Sequence, residues 1–138
     1  MINLKNFSSY RYRKLTSCKC LKIRQASRLV TQFYDKKLKP SGVRITQFSI
    51  LVYLASFGSQ TISKLSSELK IDRTTLSRSL DILLDKKFIV NESYSDKRFK
   101  KISLTQNGFK VLDAVTPLWL DAEQNVHTYI KINNLKIF

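Results

Sequence analysis

The stretch from Thr61 to Lys87 constrains the fold most strongly, because it holds two amphipathic helical patterns only a few residues apart. In the first pattern, Leu65 and Leu69 are spaced i, i+4. In the second, four leucines spaced i, i+4, i+7, i+8 form one apolar stripe on a helix of 3.6 residues per turn: Leu76, Leu80, Leu83 and Leu84. Neither glycine nor proline interrupts the stretch. The pattern predicts two short packed helices.

The second of these helices has a polar face suited to nucleic acid. Asp72 precedes it, where a carboxylate can accept from open backbone amides and favour the positive helix end. The side opposite the leucines carries polar residues from the first turn onward: Arg73, Thr74, Ser77, Arg78 and Asp81. Arg, Thr and Ser are side chains that contact phosphates and base edges. A helix-turn-helix with a recognition helix over 73–86 is one interpretation, and an ordinary αα-hairpin with a solvated polar face is the other.

After Lys87 the pattern changes from helical to β-prone. The runs 88–90 and 100–104 predict two strands, joined by a polar loop that carries Asp96, Lys97 and Arg98. A two-stranded ribbon behind a recognition-type helix is a wing, whose tip can place an arginine in the minor groove. A solvated hairpin tip is the alternative. The preceding helix-turn-helix pattern favours the wing.

Helices are predicted on both sides of this segment. The first covers about residues 18–39 and ends at the Pro40–Gly42 turn; the second covers 47–57, with Thr46 as its N-cap and Gly58 after its end. Ser63 is the predicted N-cap of the first helix of the helix-turn-helix. A long helix follows from about 106 to 130, with a kink expected at Pro117. The fold class is therefore mainly α with a small β-wing, in a single domain over 18–138.

The charge of the chain predicts a polyanionic partner but does not locate the site. The net charge is +15, from 25 Lys and Arg against 10 Asp and Glu. Residues 1–39 hold 11 of the basic residues and one acidic residue, so +10 of the +15 lies outside the helix-turn-helix. Nucleic acid is the first candidate partner and an anionic membrane surface the second. We expect residues 1–17 to form a basic, weakly ordered arm.

No apolar run approaches the 18 residues that a membrane span requires, and the N-terminus lacks the apolar core of a secretory signal. The Arg, Ser and Tyr residues of the N-terminus faintly resemble an organelle transit peptide, which is the less favoured alternative. We expect a cytoplasmic protein without a membrane partner.

Cys18 and Cys20 are the two cysteines. Two thiols at i, i+2 do not face each other on a helix, so a direct disulfide would be strained. A helix N-terminus with Lys19 and Lys22 nearby would favour the reactive thiolate, which makes a redox switch one interpretation. Packed or idle thiols are the more ordinary one. Two sulfurs alone cannot fill a tetrahedral metal site.

The sequence offers no catalytic constellation. His127 is the only histidine and has no partner at catalytic spacing, and no glycine-rich phosphate loop occurs. We expect neither an enzyme nor a cofactor. Trp119 and Phe109 are either core residues or the lining of an effector pocket, and helical spacing favours core.

The order of elements and several local segments resemble the MarR family of winged-helix bacterial transcription regulators. The segments are RQASRLVTQFYDKKLKPSG, TQFSILVYLA, DRTTLSRSLDILL and DKRFKKISLTQNG. The resemblance covers about residues 17–130. It implies that the helix contacts double-stranded DNA through five residues: Arg73, Thr74, Thr75, Ser77 and Arg78. It also implies that Arg98 of the wing enters the minor groove while Asp96 orients it.

The resemblance further implies a homodimer on a pseudo-palindromic operator. The winged helix-turn-helix would occupy about 43–105, with dimerisation helices at about 18–39 and 106–130. A small-molecule effector or thiol oxidation would release the DNA. Family members usually have a further helix after the long one, whereas this sequence stops at Phe138, which leaves the size of the dimer interface open. A general RNA- or ribosome-binding protein is the alternative function, since the pI is near 10 and the arm is basic.

Overall fold

A computed structural model describes residues 9–92 and 100–135. This part of the chain contains six α-helices and a three-stranded sheet. The helices are α1 (Ser9–Arg13), α2 (Lys19–Leu38), α3 (Ile45–Phe57), α4 (Ile62–Leu69), α5 (Arg73–Asp85) and α6 (Gln106–Ile132). The strands are β1 (Gln60–Thr61), β2 (Ile89–Glu92) and β3 (Lys101–Leu104). Short 3₁₀ turns lie at Lys14–Ser17 and Lys39–Ser41.

Helix α3 lies at the centre of the core, as its nearly uniform apolar sequence predicts. Four of its apolar side chains are buried: Phe48, Ile50, Leu51 and Leu54. They belong to one cluster with the leucines of α4 and α5. Leu65, Leu76 and Leu83 have no exposed surface, and Leu80 is 3% exposed. The stripe of leucines predicted from the sequence is therefore the surface that packs α5 onto the core.

The sheet places the wing directly after α5. Its strand order is β1-β3-β2, and both pairings are antiparallel. Ile102, at the centre of the middle strand, is buried and pairs with Gln60 on one side and Asn91 on the other. Strands β2 and β3 confirm the predicted hairpin. Strand β1 was not predicted, because a strand of two residues is too short to show alternation.

Two predicted helix starts are wrong. Helix α3 begins at Ile45, before Thr46, because Asp35 Oδ1 accepts from the Ile45 amide at 2.8 Å and Gln47 Oε1 accepts from the Arg44 amide at 3.1 Å. Helix α4 begins at Ile62, with Thr61 as its N-cap in place of Ser63. The Thr61 hydroxyl accepts from the Lys64 amide at 3.1 Å. The predicted end of α3 at Gly58 is confirmed, since Gly58 has a positive φ of 76°.

Residues 9–17, predicted to be weakly ordered, form helical turns in the structure. The hydroxyl of Thr16 donates to the Arg13 carbonyl at 2.6 Å, and that of Ser17 donates to the Lys14 carbonyl at 2.7 Å. All residues from 11 to 17 are exposed, so these turns rest on local hydrogen bonds rather than on packing. The first eight residues lie outside the described part.

Helices α2 and α6 pack against each other in an antiparallel arrangement. Lys37 Nζ lies 2.7 Å from Asp121 Oδ2, and the Tyr34 hydroxyl donates to Glu123 Oε1 at 2.5 Å. The pair is joined further along by Phe33 and Tyr129, whose ring centroids are 4.7 Å apart. The long helix runs through Pro117 without interruption. It extends to Ile132, slightly beyond the predicted end.

Helix α6 is fixed to the winged segment at its first turn. Thr105 caps the helix, accepting from the Gly108 amide at 3.1 Å and donating to the Lys87 carbonyl at 2.6 Å. A Cβ at Gly108 would run into the Phe88 carbonyl oxygen and the Leu104 side chain. Only glycine allows this close approach of the helix to the chain behind α5.

Candidate nucleic-acid interface

The turn between α4 and α5 is short and contains no glycine. Lys70 ends α4 in the left-handed conformation, with φ 54°. The next residue is held by two hydrogen bonds, from the Ser66 hydroxyl to the Ile71 carbonyl at 2.7 Å and from the Ile71 amide to the Ser66 carbonyl at 3.2 Å. Side-chain and backbone bonds of this kind compensate for the cost of left-handed geometry in a residue with a Cβ.

Asp72 caps α5, as predicted. Its Oδ2 accepts from the Thr75 amide at 3.0 Å and its Oδ1 accepts from the Thr75 hydroxyl at 2.7 Å. Both bonds lower the pKa of Asp72 below its ordinary value, and the bond from the Thr75 hydroxyl contributes most. The cap fixes where the first turn of α5 begins, and it also occupies the Thr75 hydroxyl. A direct DNA contact by Thr75 therefore competes with capping.

The outer face of α5 presents the predicted polar residues to solvent. All five are exposed: Arg73, Thr74, Ser77, Arg78 and Asp81. The side chain of Arg73 is held by α4, since its Nη2 donates to the Ser63 hydroxyl at 2.5 Å. Sequence reasoning assigned Ser63 to the helix cap and missed this contact. The structure thus joins the two helices on their exposed side as well as through their leucines.

The far end of α5 is joined to the start of α3. Lys86 Nζ donates to the Gly42 carbonyl at 2.6 Å, across the turn that follows α2. Beyond this point β2 and β3 pair as far as Glu92 and Lys101. Asp96, Lys97 and Arg98, the predicted wing contacts, lie outside the described residues.

Both thiols are exposed and unpaired at the start of α2, where Cys18 is the N-cap residue. They are not packed in the core. His127 is exposed on α6. Within residues 9–92 and 100–135, no group of three or more His, Cys, Asp or Glu side chains is placed to hold a metal ion.

The two aromatic residues considered for an effector pocket differ. Trp119 is partly buried and stacks on Phe48, with centroids 5.9 Å apart, so it belongs to the core. Phe109 is 51% exposed on the first turn of α6. A cleft of about 620 Å³ lies elsewhere, between α2 and α6, and sequence reasoning missed it. Its lining residues are Gln32, Phe33, Lys36, Lys37 and Tyr129.

In the described part of the chain, no helix combines the length and apolar character needed to cross a bilayer.

Comparison with known proteins places this fold in a family. The sequence profile of the MarR family matches residues 43–99. The M. tuberculosis transcriptional regulator MosR, solved in complex with DNA, is 33% identical, with 86% of this chain and 92% of that chain aligned at a TM-score of 0.70. This chain belongs to the MarR family. The resemblance predicted from the sequence is confirmed.

Two further proteins are similar to this MarR-family chain over most of its length. The structure of overoxidized AbfR bound to DNA is 27% identical, covers 92% of this chain and 96% of that chain, and has a TM-score of 0.70. An uncharacterized HTH-type transcriptional regulator of Bacillus subtilis, YwoH, is 26% identical over 104 residues, which is 75% of this chain and 76% of YwoH. These comparisons support a transcription regulator and do not favour the RNA-binding alternative.

The family profile covers the chain from α3 to β2 and ends before β3, which includes the whole helix-turn-helix. Helices α2 and α6 lie outside the profile match. The structural alignments extend beyond the profile, since they cover 86% and 92% of this chain. The predicted fold class, mainly α with a small β-wing, is confirmed.

Proposed function

We propose that this MarR-family chain is a cytoplasmic transcription regulator that binds double-stranded DNA sequence-specifically as a homodimer. The observation that carries the proposal is the geometry of α5. Leu76, Leu80 and Leu83 are buried, the first turn is capped by Asp72, and the polar face is exposed to solvent. An α-helix presented in this way fits the major groove of duplex DNA. The aligned MosR and AbfR structures both contain DNA.

The roles of individual residues follow from their positions on α5. Arg78 is exposed in the middle of the polar face, which suits a bidentate contact to a guanine edge. Arg73 is bonded to Ser63 at the helix start, which suits a phosphate contact that sets the register. Thr74, Thr75 and Ser77 complete the contact face. In the wing, Arg98 and Lys97 supply contacts to the minor groove and backbone, and Asp96 orients Arg98.

The homodimer is supported by apolar surface on the helix pair α2 and α6. Several large apolar side chains there are exposed in the single chain: Leu21 (42%), Ile23 (44%), Leu120 (48%) and Ile132 (77%). A second copy of the chain that packs along the same two helices would remove these side chains from water. A twofold dimer presents two copies of α5 to half-sites about one DNA turn apart, which makes the operator a pseudo-palindrome.

Selection of bound duplexes from a random pool tests this function. We expect a recovered palindrome, and we expect Arg78→Ala to weaken binding to it by roughly 1–3 kcal/mol and to relax one base position. Lys110→Ala, on the exposed side of α6, is the matched control and should leave the selected sequence unchanged. Equal protection of all sequences in a footprint contradicts sequence-specific binding.

The wing makes a different prediction, because a phosphate contact carries no sequence information. Lys97→Ala should weaken binding to all duplexes alike and reduce the slope of log K against log salt by about one. A loss confined to the selected sequence contradicts this role.

Release of the DNA by a ligand or by oxidation belongs to the same proposal. The cleft between α2 and α6 joins aromatic rings to the ammonium group of Lys36, which suits a small anionic effector with an apolar body. The neighbouring Lys37 is paired with Asp121. The exposed thiols of Cys18 and Cys20 are accessible to an oxidant at the start of α2. Replacing both with serine should abolish any effect of peroxide on DNA binding, if these thiols are the sensor.

A further inference from the structure

A second strongly basic surface lies at the start of the chain, outside the helix-turn-helix. We define the basic end as the seven Lys and Arg residues between positions 11 and 28. They are Arg11, Arg13, Lys14, Lys19, Lys22, Arg24 and Arg28, and all are exposed in the single chain. The sequence has no Asp or Glu before Asp35. No carboxylate of this segment therefore neutralises the basic end locally.

The basic end is remote from the recognition helix. Lys22 and Ala26 line a small cavity with Asn134 and Leu135, which follow the last turn of α6. Helix α5 adjoins the other end of α6, where Thr105 bonds the Lys87 carbonyl. The 27 residues of α6 span about 40 Å at 1.5 Å per residue. The start of α2, around Lys22, therefore lies roughly this length from the end of α6 that adjoins α5.

A duplex bound along α5 does not reach the basic end. Duplex DNA is stiff, with a persistence length of about 150 bp, so a short operator does not fold back over the protein. Any polyanion held at the basic end is then a second molecule or a distant segment of the same one. Seven exposed cations suffice for substantial counterion release from such a partner.

The arrangement of the side chains favours duplex DNA over a membrane. Leu21 and Ile23 are exposed, but residues two apart on a helix do not share a face. A helix that lies on a bilayer needs a continuous apolar stripe opposite its charges. Arg24 and Arg28, by contrast, are spaced i, i+4 and share one face, as contacts to a phosphate backbone require.

Single-stranded RNA is less well matched than duplex DNA. Proteins that hold single strands stack the bases on aromatic side chains. Within the basic end, Tyr12 is the one aromatic residue whose side chain the structure describes. Phosphate contacts without a stacking platform are typical of non-specific duplex binding.

We propose that the basic end is a second, sequence-independent binding surface for duplex DNA, which lets one regulator hold two DNA segments at once. The proposal goes beyond the proposed function and uses it only in assigning the first segment to α5. Non-specific capture of a second segment would keep the regulator near DNA while α5 searches or dissociates.

A two-duplex retention assay tests the proposal with the full chain. A biotinylated random-sequence 30-bp duplex on beads is loaded with protein, and a fluorescent duplex of unrelated sequence is then added. Wild-type protein should retain the fluorescent duplex. The variant R11Q/R13Q/K14Q should retain roughly tenfold less fluorescent duplex at low salt. The slope of log K against log salt should be shallower by about two to three. These residues lie outside α2, so the proposed dimer helices are left intact.

The matched control removes three exposed lysines elsewhere. K39Q/K87Q/K110Q has the same net charge as the test variant but leaves the basic end unchanged. It should retain the fluorescent duplex as wild-type protein does. Equal loss in both variants shows an effect of net charge alone and overturns the proposal, as does full retention by R11Q/R13Q/K14Q.

Two competitors identify the class of partner. Single-stranded RNA of equal length, or vesicles of phosphatidylserine and phosphatidylcholine, should displace the fluorescent duplex less effectively than unlabelled duplex. Stronger displacement by either one overturns the assignment to duplex DNA. Operator selectivity is measured separately by footprinting, with R78A as the defective variant. Loss of the second surface is thereby distinguished from failure of the recognition helix.

Discussion

The helix-turn-helix and the α2–α6 pair are built differently. In α4 and α5 the leucines that face the core are buried within the single chain, since Leu65, Leu76 and Leu83 have no exposed surface. In α2, which has 20 residues, only Ala26 and Leu38 are buried, and at the end of α6 Ile132 is 77% exposed. The apolar face of the recognition helix is therefore covered within one chain, whereas the helix pair leaves large apolar side chains exposed.

The two regions also differ in how they carry charge. On α5, Arg73 and Arg78 are exposed beside the carboxylates of Asp72 and Asp81, so the local net charge is small. Binding there depends on placement of individual donors. Residues 11–28 contain the seven cations of the basic end and no acidic residue. Any affinity of the basic end for a polyanion therefore depends on total charge and falls as the salt concentration rises. The two proposals thus assign specificity to the placement of donors on α5 and affinity to the charge density of the basic end.

The largest effect should come from the core of the helix-turn-helix. Leu76→Ala removes a fully buried side chain between α5 and the core, and we expect a loss of about 2–5 kcal/mol in the free energy of unfolding. Urea denaturation followed by circular dichroism measures it.

Ile132→Ala is the contrasting change, since that side chain is exposed in the single chain. Ile132→Ala should leave the free energy of unfolding of the monomer unchanged. It should raise the dissociation constant of the dimer, measured by sedimentation equilibrium. Equal losses in the two variants contradict the comparison.

The next largest effect should come from the contact between the two regions. Gly108→Ala places a Cβ against the Phe88 carbonyl and the Leu104 side chain, and we expect a destabilisation of about 1–3 kcal/mol from the forced displacement. Alanine normally stabilises a helix relative to glycine by up to about 1 kcal/mol, so the sign of the change is diagnostic. Asn107→Ala, at the exposed neighbouring position, is the control. Stabilisation by Gly108→Ala shows that the close approach is absent.

A smaller effect should come from the hydrogen bond between α2 and α6. Burial, and then the hydrogen bond and negative charge of Glu123, raise the pKa of Tyr34 from 10.0 to about 12. A phenol with a raised folded-state pKa contributes stability below pH 10, and the contribution is lost as the pH rises through about 12. Tyr34→Phe should cost about 0.5–1.5 kcal/mol at pH 8.

The pH dependence gives this prediction its own control. The difference in unfolding free energy between wild type and Tyr34→Phe should shrink between pH 10 and 12, because the wild-type contribution disappears there. Chemical denaturation of both proteins across this range measures the difference. A difference that stays constant with pH shows that the hydroxyl contributes nothing through its proton.

What the sequence predicts differs between the regions for a physical reason. The leucine stripe of α5, its Asp72 cap and the strands of the wing are encoded by neighbours in sequence, and each was predicted. The start of α3 was not, because Asp35 reaches it from α2 across the fold. The bond between Ser63 and Arg73 likewise depends on how two helices pack. Local patterns identify an element, whereas contacts between elements decide its boundaries.

The smallest effect should come from the cap of α5, and it appears in acid. Two bonds from Thr75 lower the pKa of Asp72 below its ordinary value of 3.8. A carboxylate with a lowered folded-state pKa contributes stability above its ordinary value, and that contribution is lost as the pH falls through the lowered one. Asp72→Asn keeps an acceptor for the Thr75 amide, since Asn is a comparable N-cap, but removes the titrating proton. The melting temperature of the variant should therefore decrease less steeply than that of wild type below pH 4.

Asp81→Asn, which removes a carboxylate from the exposed face of the same helix, should keep the wild-type acid dependence. An unchanged slope in Asp72→Asn would mean that the first turn of the recognition helix is held by its leucines alone.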